Sequence, residues 1–426
     1  MKKQNKNFLY NIIYQIFVFI IPIVTTPYVS RVLGADNVGV YSYTYSFVYY
    51  FMLLSMLGIN NYGAREIAKC KGQEEINKKF KSIYLLQILL NLICIILYLI
   101  FVIFIKYDKK NIMVIQSIFL VSVAFDVNWF FFGKEKFKIT IKRNIVIKLI
   151  SLIFIFLFVK NENDLWIYTL IMSGATLISQ LYLWFFLKKE VKNVKIELKD
   201  VLANIKPCLI LFIPVISYSI YRVLDKTMIG SISNTIELGN YESAEKIINI
   251  PISFITALGT VMLPHMSKKI LDEIKETIYE TFELTYFVIT PMIIGLVVIA
   301  NNFSNIFFGS GFEKTGNIIR ILSITVLFSS TSNVIRNNFL IPLKKDNIYV
   351  YSTIFGAVIN IICNTIFITM YGAYGACIGT ILAEAVVMFY QIMKTRKEIN
   401  YVRVIKIFTK YFIKSCIVGM IIFIIA

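Results

Sequence analysis

Residues 83–105 read IYLLQILLNLICIILYLIFVIFI, a run without one charged side chain. At 1.5 Å per residue such a run, wound as a helix, is about 34 Å long, enough to cross a hydrocarbon layer roughly 30 Å thick. Working outward, the same pattern recurs at 9–30, 38–60, 112–132, 145–159 and 165–187. It recurs again at 207–229, 247–263, 284–300, 318–341, 348–370 and 374–393. A thirteenth run starts near Phe412 and falls short of the roughly 17 residues a span needs. Span five is also short, and Lys148 near its inner end is expected to snorkel toward the headgroups.

The whole chain agrees with its runs. Its 426 residues are 58% hydrophobic and only 16% charged, with a mean hydropathy of +0.71. Soluble domains carry about 25% charged residues, and one core cannot hide this much apolar surface. The bilayer is therefore the solvent. The net charge of +19 sits in short connections between spans, which points to anionic membrane lipids as partners and away from nucleic acid. With the N-terminus cytoplasmic, 31 of the 44 Lys and Arg fall on the inner side and about a fifth as many on the outer, which fixes the orientation.

The connections leave no room for a folded extramembrane domain. There is no G-x-x-x-x-G-K-[ST], no G-x-G-x-x-G and a single histidine, His265, so neither an enzyme, nor nucleotide hydrolysis, nor a bound cofactor is expected. Lys2, Lys3 and Lys6 open the chain as a signal peptide would, but no small-residue cleavage site follows, and the run reads as a retained first helix. The six cysteines are scattered and form no disulfide framework. Leu271, Ile274, Ile278 and Phe282 share one face of the stretch 264–282, which reads as an amphipathic helix on the inner surface.

Internal repetition sets the architecture. Ile21, Pro22, Val24 and then Arg31, Val32, Leu33 return as Ile213, Pro214, Val215 and then Arg222, Val223, Leu224. Each set is followed by Gly-x-Tyr, at Gly39 and Tyr41 and at Gly239 and Tyr241. Six spans separate the copies, so both halves enter the membrane in the same direction and the repeat is parallel. The fold expected is an all-α polytopic membrane protein. Two pseudo-symmetric six-helix bundles, 1–195 and 196–400, enclose a central cavity, and a short helical segment follows at 401–426. Pro22 and Pro214 kink matching helices and serve as hinges or as static bends.

Three stretches then carry a family resemblance: Pro27-Tyr28-Val29-Ser30-Arg31-Val32-Leu33-Gly34, Val38-Gly39-Val40-Tyr41, and Gly63-Ala64-Arg65-Glu66-Ile67-Ala68. With Leu224-Asp225-Lys226-Thr227-Met228-Ile229-Gly230, Leu263-Pro264-His265-Met266-Ser267 and Tyr371-Gly372-Ala373-Tyr374-Gly375-Ala376 through Glu384, the chain resembles Wzx-type polysaccharide flippases of the MATE and MurJ superfamily over about residues 8–395. The resemblance implies transfer of an oligosaccharide on undecaprenyl diphosphate from the inner to the outer leaflet of a bacterial cytoplasmic membrane, with the polysaccharide synthesis machinery as a further partner. Such flippases have twelve or fourteen spans, and the short last run departs from that as a truncated final pair would.

On that reading the intramembrane charges divide by sign. Arg222, Arg31, Lys226, Arg336 and Lys148 are the candidates for holding a diphosphate, which a guanidinium fork fits. Arg222 and Asp225 lie three apart on one helix face and also fit a structural ion pair, and Arg31 also fits an interfacial anchor. Asp225, Asp126 and Glu384 are the candidates for coupling transport to a proton or sodium ion, or for neutralising a basic neighbour such as Arg336. Gly372, Gly375 and Gly379 permit close helix contact. The alternative within the fold, a drug or cation exporter, wants acidic groups to dominate the cavity.

Overall fold

The computed structural model describes residues 2–266 and 271–425. Within them the side chains of 2–20, 213, 214, 217, 218, 220–222, 260–266, 271, 272 and 422–425 lie outside the described residues, and Pro214 and Arg222 fall there. The described chain is helical, without a strand. In order the helices are α1 (Lys2–Met56), α2 (Ile59–Lys69), α3 (Gln73–Phe104), α4 (Lys110–Ala124), α5 (Asn128–Gly133), α6 (Phe137–Phe158), α7 (Leu165–Leu187) and α8 (Leu198–Leu202). They continue with α9 (Ile205–Ile232), α10 (Thr235–Met266), α11 (Leu271–Phe308), α12 (Glu313–Ile335), α13 (Asp346–Tyr371), α14 (Ala373–Thr395) and α15 (Tyr401–Ile425). Among the described residues seven stretches are long and apolar enough to cross a membrane, the longest being Glu273–Phe308. The chain is a polytopic all-α membrane protein.

It divides into two compact units. Unit 1 takes 1–33 and 40–216, and unit 2 takes Gly34–Gly39 and Ser217–Ala426. The small detached piece has a local cause. Gly34 leaves the helical region at φ 74°, a left-handed conformation glycine reaches without a Cβ penalty, so α1 bends and residues 35–39 lie with unit 2. There a Cβ on Gly39 would strike the Thr235 carbonyl, and one on Gly239 the Ala35 carbonyl, while the Thr235 hydroxyl donates to the Asp36 carboxylate. The two glycines of the sequence repeat thus each sit under the other's helix.

Four expectations change. Span five belongs to a longer helix: α6 runs from Phe137 to Phe158, and Lys138 and Lys142 on its first turns are where the apolar run stops. Span four is two helices, α4 and α5, with Phe125, Asp126 and Val127 between them. Of the stretch 264–282, residues 267–270 lie outside the described residues; from Leu271 it is the start of α11, which runs unbroken to Phe308, and Ile274, Ile278 and Phe282 are buried in unit 2 and do not lie on a surface. The last run begins at Tyr401, since its basic first half is paired by α11: Arg403 bonds Glu276 at 3.0 Å and Lys410 bonds Glu283 at 3.0 Å, both pairs two turns apart on their helices.

The core of unit 1 is aromatic. Trp129, Phe130 and Phe131 of α5 pack with Phe80 of α3 and with Ile59 and Ile67 of α2. Gly63 makes the seat, for a Cβ there would meet the Trp129 ring at 2.5 Å.

Candidate functional site

Unit 1 contains a cavity of about 720 Å³, built around the interruption between α4 and α5. Breaking a helix inside a membrane frees carbonyls that hydrocarbon cannot satisfy. Here side chains take them: Gln87 Nε2 donates to the Val123 and Asp126 carbonyls at 2.6 and 2.9 Å, and Trp184 Nε1 donates to Phe125 O at 3.0 Å. Gln87 is itself fixed by Trp129 Nε1 at 3.0 Å. The chain restarts because the Asp126 carboxylate accepts from Asn128 N and Nδ2 at 2.9 and 2.7 Å. The interruption leaves room, and the room is lined by Asp126, Asn128, Arg143, Asn144, Lys148 and Gln180 together with Asn60, Asn61 and Pro22.

Arg143 is 5% exposed and held on several sides: to Asn128 Oδ1 at 3.0 Å, Asn144 Oδ1 at 2.7 Å and the Ser179 carbonyl at 3.2 Å. Its charge acts on Asp126. Lys148, five residues further along α6, is half-buried and makes no hydrogen bond or ion pair with a described residue. Among the described residues the cavity therefore holds one anchored guanidinium, one unengaged ammonium and one carboxylate.

Unit 2 gathers the other charges. Asp225 of α9 is 4% exposed; its Oδ1 accepts from Asn364 Nδ2 at 2.5 Å, and its Oδ2 from the Tyr241 and Thr380 hydroxyls at 2.9 and 2.8 Å. Asn364 Oδ1 has no donor and lies over Gly379, where any side chain would displace it. Lys226 does not line either cavity; it pairs with Glu242 at 2.6 Å and Glu245 at 3.0 Å. A narrow cavity of about 150 Å³ extends from Asp225 past Glu384 to Arg336. Arg336 lies on the π-helical turn Arg336–Leu340, with its guanidinium 5.2 Å from the Tyr349 ring centre and Nε donating to Asn337 Oδ1 at 3.1 Å.

Of the residues expected at a site, Lys148, Asp126 and Pro22 meet in the cavity of unit 1, and Asp225, Glu384 and Arg336 in that of unit 2. Arg31 is exposed on α1 and lines neither. Asp225 is held by Tyr241, Asn364 and Thr380; the side chain of Arg222, expected beside it, lies outside the described residues. The structure adds Arg143, Asn364 and Thr380 to these sites. A helix continued back through Lys142 would have brought Arg143 into the span, whereas nothing in a single sequence joins Asn364 to Asp225.

This is the fold of a membrane transporter with two polar interiors. The family profile described as "Polysaccharide biosynthesis protein" matches residues 5–269, and the chain belongs to that family. It is 22% identical over 378 residues to a "Putative O-antigen transporter" of Shigella dysenteriae, covering 88% of this chain and 95% of the relative. Among solved structures it is similar to the lipid II flippase MurJ in its inward closed conformation, with a TM-score of 0.79 at 16% identity over 98% of this chain and 97% of that one. An inward-facing multidrug resistance MATE transporter gives a TM-score of 0.62 at 15% identity over 94% and 95%.

Proposed function

We propose that this protein is a flippase for a lipid-linked oligosaccharide carried on a diphosphate, moving it from the inner to the outer leaflet of the bacterial cytoplasmic membrane by alternating access. The observation that carries the reading is Lys148, a cation without a partner among the described residues, in a large membrane cavity beside the anchored Arg143. An unpaired charge in a span is costly, and a diphosphate offers it and the guanidinium the acceptors they fit. The 720 Å³ cavity takes a diphosphate and the first sugar, with carboxamides for the hydroxyls. The O-antigen transporter relative and the MurJ fold support the same substrate class, and the machinery that builds such glycans would supply it.

Coupling belongs to Asp225. One carboxylate, the orphaned Asn364 Oδ1 after a half-turn of its amide, and the Thr380 hydroxyl form a hard-oxygen set that suits sodium, and the same carboxylate suits a proton. A cytoplasmic N-terminus follows from the charge asymmetry, with Lys195 and Lys397 inside and Glu237 outside.

The test is binding of a short-chain lipid diphosphate oligosaccharide to purified protein. A charged hydrogen bond is worth about 1.5–3 kcal/mol, so Lys148→Ala weakens binding roughly tenfold. Unchanged affinity in both Lys148→Ala and Lys148→Glu sinks the reading; tight binding of a lipophilic cation in place of the glycan lipid turns it to the exporter.

A further inference from the structure

The cavity of unit 2 is long for its volume. It is lined on α10 from Tyr241 to Thr256 and on α12 from Leu322 to Arg336, stretches of about 22 and 21 Å at the helical rise. Spread over that length, the space of about 150 Å³ is open to little more than single water molecules at a time. Each water needs about 10–15 Å³ of such space, so the cavity holds on the order of ten waters.

Its chemistry has a sign. Among the described residues Asp225, Glu245 and Glu384 face it with one base, Arg336. Glu245 is engaged with Lys226 on its far side. Hydroxyls carry the lining between the charges, with Thr256, Thr325 and Thr353 on three different helices. Two buried oxygens of the lining lack any donor. Gln391, 1% exposed, gives its Nε2 to Ser352 Oγ at 3.1 Å and leaves Oε1 without a partner, and Ser329 Oγ has none either. Buried acceptors without donors call for water or a cation. At the far end the π-helical turn departs from regular α12, and it holds Arg336 at the mouth against Tyr349 and Asn337.

We propose that this bore is an ion path inside unit 2, a file of water through which a monovalent cation, Na+ or H+, exchanges between Asp225 and the solution at the α12–α13 end. The inference rests on the reading of Asp225 as the coupling site and adds the route by which that site fills and empties. The charge asymmetry places the α12–α13 end on the cytoplasmic side, so the path opens inward.

Full-length protein in oriented liposomes tests it without glycan lipid, using 22Na+ for sodium and entrapped pyranine for protons. Wild type is expected to exchange one of the two from the cytoplasmic face. Ser329→Leu and Thr353→Leu plug the bore at different helices, and Thr365→Leu, on the exposed face of α13, is the control. The plugs are expected to slow exchange at least tenfold with the control unchanged. Equilibrium occupancy, read as bound 22Na+ or as the carboxylic infrared band of Asp225, should stay within about twofold. An unchanged rate in a plugged variant of normal occupancy overturns the path. If neither plug folds, the wild-type sidedness decides, and exchange of neither ion, or exchange from the outer face alone, overturns it. Full occupancy in Asp225→Asn instead removes the coupling site itself, a failure the plugs do not produce.

Discussion

The two units solve opposite problems with the same material. In unit 1 a span is cut, and the carbonyls released at Val123, Phe125 and Asp126 are taken up by Gln87 and Trp184, so the backbone is satisfied and 720 Å³ is left for something outside the protein to fill. In unit 2 the helices run whole past the cavity until the π-helical turn, and only 150 Å³ remains. Among the described residues the first space has two cations to one carboxylate, the second three carboxylates to one cation. Width and sign vary together: a broad basic space fits an anionic headgroup, a thin acidic one fits a small cation. What sets the width is whether a helix is broken, and what allows the break is a pair of long polar side chains within reach.

Reversing the sign of the broad space is the harshest way to break this contrast. Arg143→Glu puts two carboxylates where the diphosphate is proposed to sit, and glycan export in a strain lacking its own flippase should fall more than a hundredfold. Arg143→Lys keeps the charge but not the fork that reaches both Asn128 and Asn144, and should land between wild type and Glu. Membrane abundance must be measured alongside, because a buried cluster that loses one partner also loses stability. Normal export by Arg143→Glu at normal abundance would mean that the basic character of the cavity has no bearing on its occupant.

The next test separates the two spaces. Asp225→Asn keeps the shape of its cluster and removes the charge, so glycan-lipid affinity should change less than twofold while the dependence of flux on an imposed sodium or proton gradient is lost. Should affinity fall with the coupling, the division into a binding space and a coupling space is wrong.

How far these spaces could be read from residues alone depended on distance along the chain. Span 165–187 is α7 residue for residue, and 348–370 and 374–393 are α13 and α14 to within two residues or so at each end, because hydropathy is a local property. The intramembrane charges were equally legible, since Asp126, Lys148, Asp225, Arg336 and Glu384 stand out against apolar surroundings. Their company was not. Asp225 meets Asn364 and Thr380 from 139 and 155 positions away. The apolar run begins at 145, which leaves Arg143 among the basic residues before it. The Gly63-Ala64-Arg65-Glu66 motif proved to be a seat, with Gly63 under the Trp129 ring and Glu66 in an ion cluster at the rim.

That rim gives the smallest and most specific effect. α2 carries Asn60, Asn61 and Ala64 to the cavity of unit 1 and shows Glu66 to Arg65, Lys69 and Lys79 at 3.5, 2.9 and 3.6 Å. Partial burial pushes the Glu66 carboxyl up. The hydrogen bond from Lys69 and the charges of Lys79, Lys69 and Arg65 outweigh it and hold the group below the ordinary value near 4.3. Folding thus favours the carboxylate, and its contribution is complete above the ordinary value and vanishes as pH falls through the lowered one. Exposed pairs of this kind are worth about 0–1 kcal/mol, and Gly63 against Trp129 holds α2 by packing in any case. Glu66→Gln should therefore lower the melting temperature slightly at pH 7, change glycan-lipid affinity less than twofold, and melt together with wild type once the pH is well below 4. A gap that persists in acid would show that Glu66 holds α2 by something other than its charge, and a large loss of affinity would place the rim inside the binding space.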